Sequence, residues 1–180
     1  MATPTTLPAT FVAGNILTAA QMNSLRGAFR VLQIVTAQKT DTFTTASTSF
    51  VDLTGLSANI TPSSTSSTIL VGYSVQGLGL ANTNMGSVQI VRGTTAVGNA
   101  AAAGSRTVGN SIVPELGGAQ IGQMTNWFMD SPATTSLTTY KLQIRTNNAG
   151  TIYVNRTITD TDLTAFGRGT SSFVIMEISA

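Results

Sequence analysis

A chain of 180 residues with 9 % charged side chains, a net charge of +2 and neither cysteine nor histidine has little reactive chemistry to offer. The missing cysteines remove disulfides and thiolate metal sites, and the missing histidines remove the commonest general base and metal ligand. The nine Lys and Arg residues are scattered singly, so there is no basic patch and no electrostatic footprint for nucleic acid.

Residues 1–9 are rich in Thr and Pro and read as an extended arm, with Pro4 and Pro8 disfavouring helix. No basic start and no long apolar run mark a secretory signal, and no apolar stretch reaches transmembrane length. These features predict assembly in a cytoplasm without membrane insertion. Next comes TFVAGNILTAAQMNSLRGAFR, residues 10–30. Thr18 and Gln21 fit a capping box, and Leu17 with Met22 fits a hydrophobic staple. Met22, Leu25 and Phe29 follow at spacings of three and four, which predicts one short amphipathic helix. A helix of about ten residues is unstable alone in water, so the stripe must pack, either on its own β domain, on a docking partner or on its copies.

From Val31 the period changes to two. VLQIVTAQ (31–38) reads as a buried-type strand, 41–61 as short strands with polar interruptions, and 61–67 as a turn. In 68–77, Ile69, Val71, Tyr73 and Val75 share a face; in 85–93, Val88 and Ile90 oppose Gln89 and Val91. Residues 94–123 are rich in Ala and Gly, weak strand formers, and read either as a meandering strand pair at a tight subunit contact or as an exposed loop for a partner. The run Trp127–Phe128–Met129 reads as core or subunit interface. Residues 135–156 read as a hairpin, with turn residues at Asn147, Asn148 and Gly150. SSFVIMEIS (171–179) is nearly continuously apolar, as a central strand or one covered on both faces would be. The expected fold is mainly β, an antiparallel β-sandwich of jelly-roll type over 31–180, preceded by the arm and one short helix over 1–30.

Catalytic and metal chemistry find no support. The seven carboxylates are dispersed; only Asp160 and Asp162 stand close, and they lack the rest of a calcium-loop pattern, so they read as an ordinary turn. No Ser has a His partner, and no motif places one beside Lys39 or Lys141. The expectation is no catalytic residue, no metal, no cofactor and no enzyme. Glu177 alternates with Phe173 and Ile175, and is expected either to face solvent or to meet Arg92, Arg145 or Arg156 across a subunit boundary. Asn155-Arg156-Thr157 is a glycosylation sequon in spelling only.

These residues carry a resemblance. LPATFVAGNILTAAQMNSL looks like the N-terminal segment of many tailed-bacteriophage virion proteins, F-x-A-G-x-x-L-T-A-A-x-x-N, matched here by Phe11, Ala13, Gly14, Leu17, Thr18, Ala19, Ala20 and Asn23. Residues 40–71 resemble a β module common in phage tail fibres and other virion appendages, and SSFVIMEI is similar to the last strand of the same proteins. The resemblance covers about half the chain and skips 94–134. It implies a virion structural protein and a homotrimer, with Phe11, Leu17, Met22, Leu25 and Phe29 attaching it to the particle; Trp127 and Phe128, from their apolar run, and Glu177, from its place in the strand, are the candidates for the oligomer interface. Its partners would be its own copies, other virion proteins of tail, baseplate or capsid, and a host surface receptor. The expected role is a trimeric tail fibre or receptor-binding appendage, with 94–123 or the 146–150 turn at the exposed tip. The alternatives are a capsid decoration (cement) protein and, remotely, an enzyme degrading host polymer.

Overall fold

Alternation from Val31 onward becomes eleven strands: β1 (Val31–Lys39), β2 (Phe43–Thr45), β3 (Val51–Ile60), β4 (Thr68–Ala81), β5 (Gly86–Arg92), β6 (Thr95–Val97), β7 (Ser111–Val113), β8 (Gly122–Asp130), β9 (Thr138–Thr146), β10 (Thr151–Val154) and β11 (Ser171–Ile178). This computed structural model describes residues 31–179 apart from 82–84, 114, 117, 118 and 149, together with Ile16, Thr18, Ala19 and Met22.

One rule generates the pairing. β1 pairs with β11, β2 with β10, β3 with β9, β4 with β8 and β5 with β7, all antiparallel. The chain is thus a single long hairpin, nested strand within strand, with β6 and the loop after it at the turn. Rolling that hairpin creates the remaining long contacts, β11 with β4 and β9 with β5. The result is two antiparallel sheets, β1-β11-β4-β8 and β3-β9-β5-β7. β10 and β2 continue the first from the far end of β4, and β6 extends the second beside β5. Four strands to a layer, wrapped from one nested hairpin, is the connectivity of a jelly roll.

The core lies between the layers. Ile69, Val71, Tyr73 and Val75 of β4 and Phe173 and Ile175 of β11 face Leu53, Leu56, Val88, Ile90, Tyr140, Leu142 and Ile144 from the other sheet, all of them buried. Each belongs to the inward phase of its strand, which is why the period of two was readable from residue types.

Some expectations need correcting. Residues 135–156 do not form a hairpin. β9 lies in one sheet between β3 and β5, whereas β10 pairs with β4 and β2 in the other. The turn between them crosses layers: the Asn147 N–H donates to the Met85 carbonyl and the Thr146 N–H to that of Ser47. Turn residues look alike whether the chain reverses within a sheet or crosses to another. β1 is an edge strand with its outer side open, not a strand buried on both faces. Residues 94–123 contain β6, β7 and a loop that closes one side of the sandwich. Asn110 anchors that loop by accepting from the Tyr73 hydroxyl (2.9 Å) and the Asn126 amide (3.0 Å) and donating to the Gly98 carbonyl (2.9 Å).

The arm and most of the expected N-terminal helix, with Phe11, Leu17, Leu25 and Phe29, lie outside the described residues. Among those described, Ala19 and Met22 are helical and the Met22 N–H donates to the Thr18 carbonyl at 3.0 Å.

Candidate functional site

The outer sides of the two sheets differ in chemistry. On β3-β9-β5 the outward residues, apart from the buried Val91, are polar, and many are bonded to one another. Lys141 and Gln143 both donate to the Asp52 carboxylate (2.8 and 2.7 Å), Thr139 donates to Asn59 (2.7 Å), and Gln89 to Gln143 (2.8 Å). The hydrogen bond from Lys141, with that from Gln143, holds the Asp52 carboxyl below its ordinary range. Such a face is at home in water.

The outer side of β1-β11-β4-β8 carries no ionisable side chain. Its outward positions are Val31, Ile34, Thr36 and Gln38 on β1; Ser172, Val174, Met176 and Ile178 on β11; Thr68, Leu70, Gly72 and Ser74 on β4; and Gln123, Thr125, Trp127 and Met129 on β8. Strand register lines them up in rows. Ile34, Met176, Leu70 and Met129 form one continuous apolar row across all four strands. The next row runs Thr36, Val174, Gly72 and Trp127, and the one beyond it is polar. Ile34 is 57 % exposed, Trp127 52 % and Met129 50 %. Other large apolar side chains are exposed among the described residues, but here they are contiguous, and contiguity is what marks a contact surface.

Gly72 explains how Trp127 lies. A Cβ at Gly72 would come 2.2 Å from Cζ3 of the indole, so the ring rests flat on the backbone of β4. A missing side chain on one strand is filled by the largest side chain of the next, leaving the outer ring face open.

The three proposed interface residues therefore separate. Trp127 is on the open face. Phe128 points the other way: it packs against the core, and a Cβ at Gly98 would meet its ring at 2.6 Å, so the 98–110 loop covers it. Adjacent strand residues must face opposite sides, which the apolar run itself concealed. Glu177 is corrected too: it is buried within its own chain and meets no arginine. Its carboxylate accepts from the Ser63 N–H (2.7 Å), the Ser63 hydroxyl (2.6 Å) and the Gln33 amide (2.6 Å). Gln33 also donates to the Thr61 carbonyl (2.8 Å), so the group fastens the 61–67 turn to β1 and β11. The three arginines are engaged elsewhere: Arg92 with Asp130, Arg145 over Phe50, and Arg156 over Tyr153.

Burial alone would raise the Glu177 carboxyl, but the hydrogen bonds from Ser63 and Gln33 outweigh it and hold the group below its ordinary range. A carboxyl depressed in the folded state contributes stability above its unfolded pKa of about 4.3 and loses it as pH falls. Glu177→Gln is expected to be less stable than the parent at pH 7 and to show a flatter decline in urea midpoint between about pH 5 and 3. An unchanged acid limb would remove Glu177 from this role.

Asp160 accepts from the Arg168 guanidinium (2.9 Å) and lies 3.5 Å from that of Arg156, which makes Asp160 a loop anchor. Asn155 is buried, its amide donating to the Lys39 and Asp41 carbonyls (2.9 and 2.8 Å), so the sequon is closed to modification in the folded chain. Of the attachment residues only Met22 is described, and it is 53 % exposed.

No protein-family model and no curated protein matches the sequence. Among solved structures, the chain is similar to the VP2 subviral particle of infectious bursal disease virus, at 19 % identity and a TM-score of 0.34, over 82 % of this chain and 38 % of that one. It is also similar to the structure of the Gx strain of that virus, at 18 % identity and a TM-score of 0.36, over 83 % and 40 % of the two chains. The chain spans about two fifths of the length of these proteins. At these scores the likeness bears no weight in the functional reading.

The face itself was partly legible. The run that holds Trp127 and Met129 stands out in the sequence, but Ile34, Leu70, Val174 and Met176 do not. Their signal is that β1, β8 and β11 carry apolar residues on both phases of the alternation, one phase more than a single core needs.

Proposed function

We propose that the chain is a structural component of a tailed-bacteriophage particle, a homotrimeric tail fibre or receptor-binding appendage whose N-terminal arm and helix fasten it to the virion. The observation that carries the assembly part is the uncharged apolar face of β1-β11-β4-β8, set opposite a face of ordinary solvated polarity. An apolar row across four strands belongs against another protein surface. The phage part rests on the N-terminal resemblance.

The geometry suits an anchored module. Val31 pairs with Ile178, so both ends of the β body emerge together at one end of the sandwich. The 146–150 turn lies at the other end, because Thr138 pairs with Ile60 near the arm while Thr146 pairs with Gly86 far from it. Residues 94–123 start at the arm end, where Thr95 pairs with Arg92, and reach the other end by Val113, which pairs with Gly86, and again at Gly122 opposite Leu78. Both tip candidates for a host receptor thus have residues at the end opposite the arm.

The second reading, a capsid decoration protein, uses the same face against capsid subunits. Quantitative mass spectrometry of purified particles separates the two. An appendage is expected at a few per cent of the major capsid protein, and a ratio near one to one would replace it with the decoration reading.

A further inference from the structure

We propose that the hollow where β3 bulges away from β9, on the outer side of the polar sheet, binds a neutral saccharide through Asp52 and Lys141. That sheet is turned away from the apolar face of β1-β11-β4-β8, so the hollow stays in water when the apolar face is covered.

The hollow has a backbone origin. Asp52 pairs with Gln143 and Ser57 with Lys141, so residues 53–56 of β3 stand opposite Leu142 alone on β9. Leu53 and Leu56 keep their places in the core, while Thr54 and Gly55 are exposed. Gly55 takes φ +89°, a conformation that glycine adopts without a steric cost. The space beside the bulge is about 410 Å³, bordered by Asp52, Thr54, Ser57, Thr139 and Lys141. It falls within the roughly 300–1,000 Å³ of small-molecule sites.

The lining selects the ligand. Leu53 is buried, so the reachable side chains are one carboxylate, one ammonium and three hydroxyls. An apolar ring finds no surface there. The two charges cancel in a pair already closed at 2.8 Å, which an ionic ligand would have to open. A polyol leaves it closed. The Asp52 carboxylate offers about four acceptor positions, with Lys141 and Gln143 on two of them, and the Lys141 ammonium has protons to spare. One hydroxyl of a sugar can therefore donate to Asp52 while its neighbour accepts from Lys141.

The pair is also held still. Asn99 donates to Gln89 (3.1 Å), Gln89 to Gln143 (2.8 Å) and Gln143 to Asp52 (2.7 Å), a relay of amides whose N–H groups all point towards the carboxylate. Hydrogen bonds in such a chain strengthen one another. Groups fixed before a ligand arrives need little ordering on binding.

The test titrates the isotope-labelled full chain in turn with D-glucose, D-galactose, D-mannose and N-acetyl-D-glucosamine, followed by amide resonances. At least one of these sugars is expected to shift Asp52, Thr54, Ser57, Thr139 and Lys141 saturably and to leave Trp127 and Met129 in place. Asp52→Ala is expected to weaken that binding at least about tenfold, the loss of a hydrogen bond to a charged group, and Lys141→Met to do the same. No saturable shift with any of the sugars would overturn the site, as would an affinity that neither variant changes. The mass of the oligomer is measured separately, so failure here leaves the assembly reading intact.

Discussion

Trp127→Asp is expected to yield a folded monomer. Trp127 sits half-exposed on the open face, resting on Gly72, with Met129 and Leu70 in the adjoining row. Large aromatic residues near the middle of an interface carry most of its energy, typically about 2 kcal/mol or more on truncation. An aspartate also places a charge with no partner on a face that has none. Dissociation is therefore expected to strengthen by at least about thirtyfold, read as mass against concentration. The far-ultraviolet circular dichroism should persist, because the inward core of β8, Met124 and Phe128, is untouched. Ile34→Asp on β1, at the far end of the apolar row, should act the same way. An oligomer that survives both changes would move the interface elsewhere.

Asp130→Ala is expected to destabilise the monomer more than any surface change. Asp130 ends β8 and points into the sandwich, where it accepts from the Tyr140 hydroxyl (2.6 Å) and twice from Arg92 (3.0 and 2.8 Å). β8 belongs to one sheet, while Tyr140 on β9 and Arg92 on β5 belong to the other, so this group staples the layers together. Burial, reinforced by the Asp130 carboxylate, pushes the Tyr140 hydroxyl above its ordinary pKa. Stability is thus expected to fall as pH rises beyond about 10, the ordinary tyrosine value. Removing the carboxylate leaves a buried phenol and a guanidinium without their acceptor, at a cost of about 3–5 kcal/mol. A domain is stable by about 5–15 kcal/mol in total, so urea denaturation should show a large loss. Tyr140→Phe removes one charge-assisted bond and leaves the ion pair, a smaller loss of about 1.5–3 kcal/mol. Equal effects of Asp130→Ala and of a solvated change such as Asp52→Ala would contradict the staple.

The strands were legible because each inward residue, from Ile69 and Val71 through Phe173 and Ile175, repeats with the pleat. Their partners were harder to read. Nothing local to Asn147, Asn148 and Gly150 tells a hairpin from a crossing, and only the nested order of all the pairs shows that β10 returns to β2. Glu177 was misread for a related reason. Its phase placed it inward beside Phe173 and Ile175, yet its donors, Ser63 and Gln33, lie 114 and 144 residues away in sequence. Polar satisfaction over such distances leaves no local trace. Trp127 stood out by rarity, but whether it was core or contact depended on the phase of β8, which Phe128 shares in the opposite sense.

The central claim is that the outer face of β1-β11-β4-β8 is covered in the assembled protein, and Trp127 reports on it directly as the only tryptophan in the chain. Acrylamide quenching of its fluorescence, followed through dilution alongside the mass of the full chain, makes the test. The account predicts a species of three times 18.6 kDa with a shielded, blue-shifted tryptophan, turning exposed and red-shifted as the mass falls to that of one chain. A tryptophan equally open to quencher in the oligomer and in the monomer would contradict it.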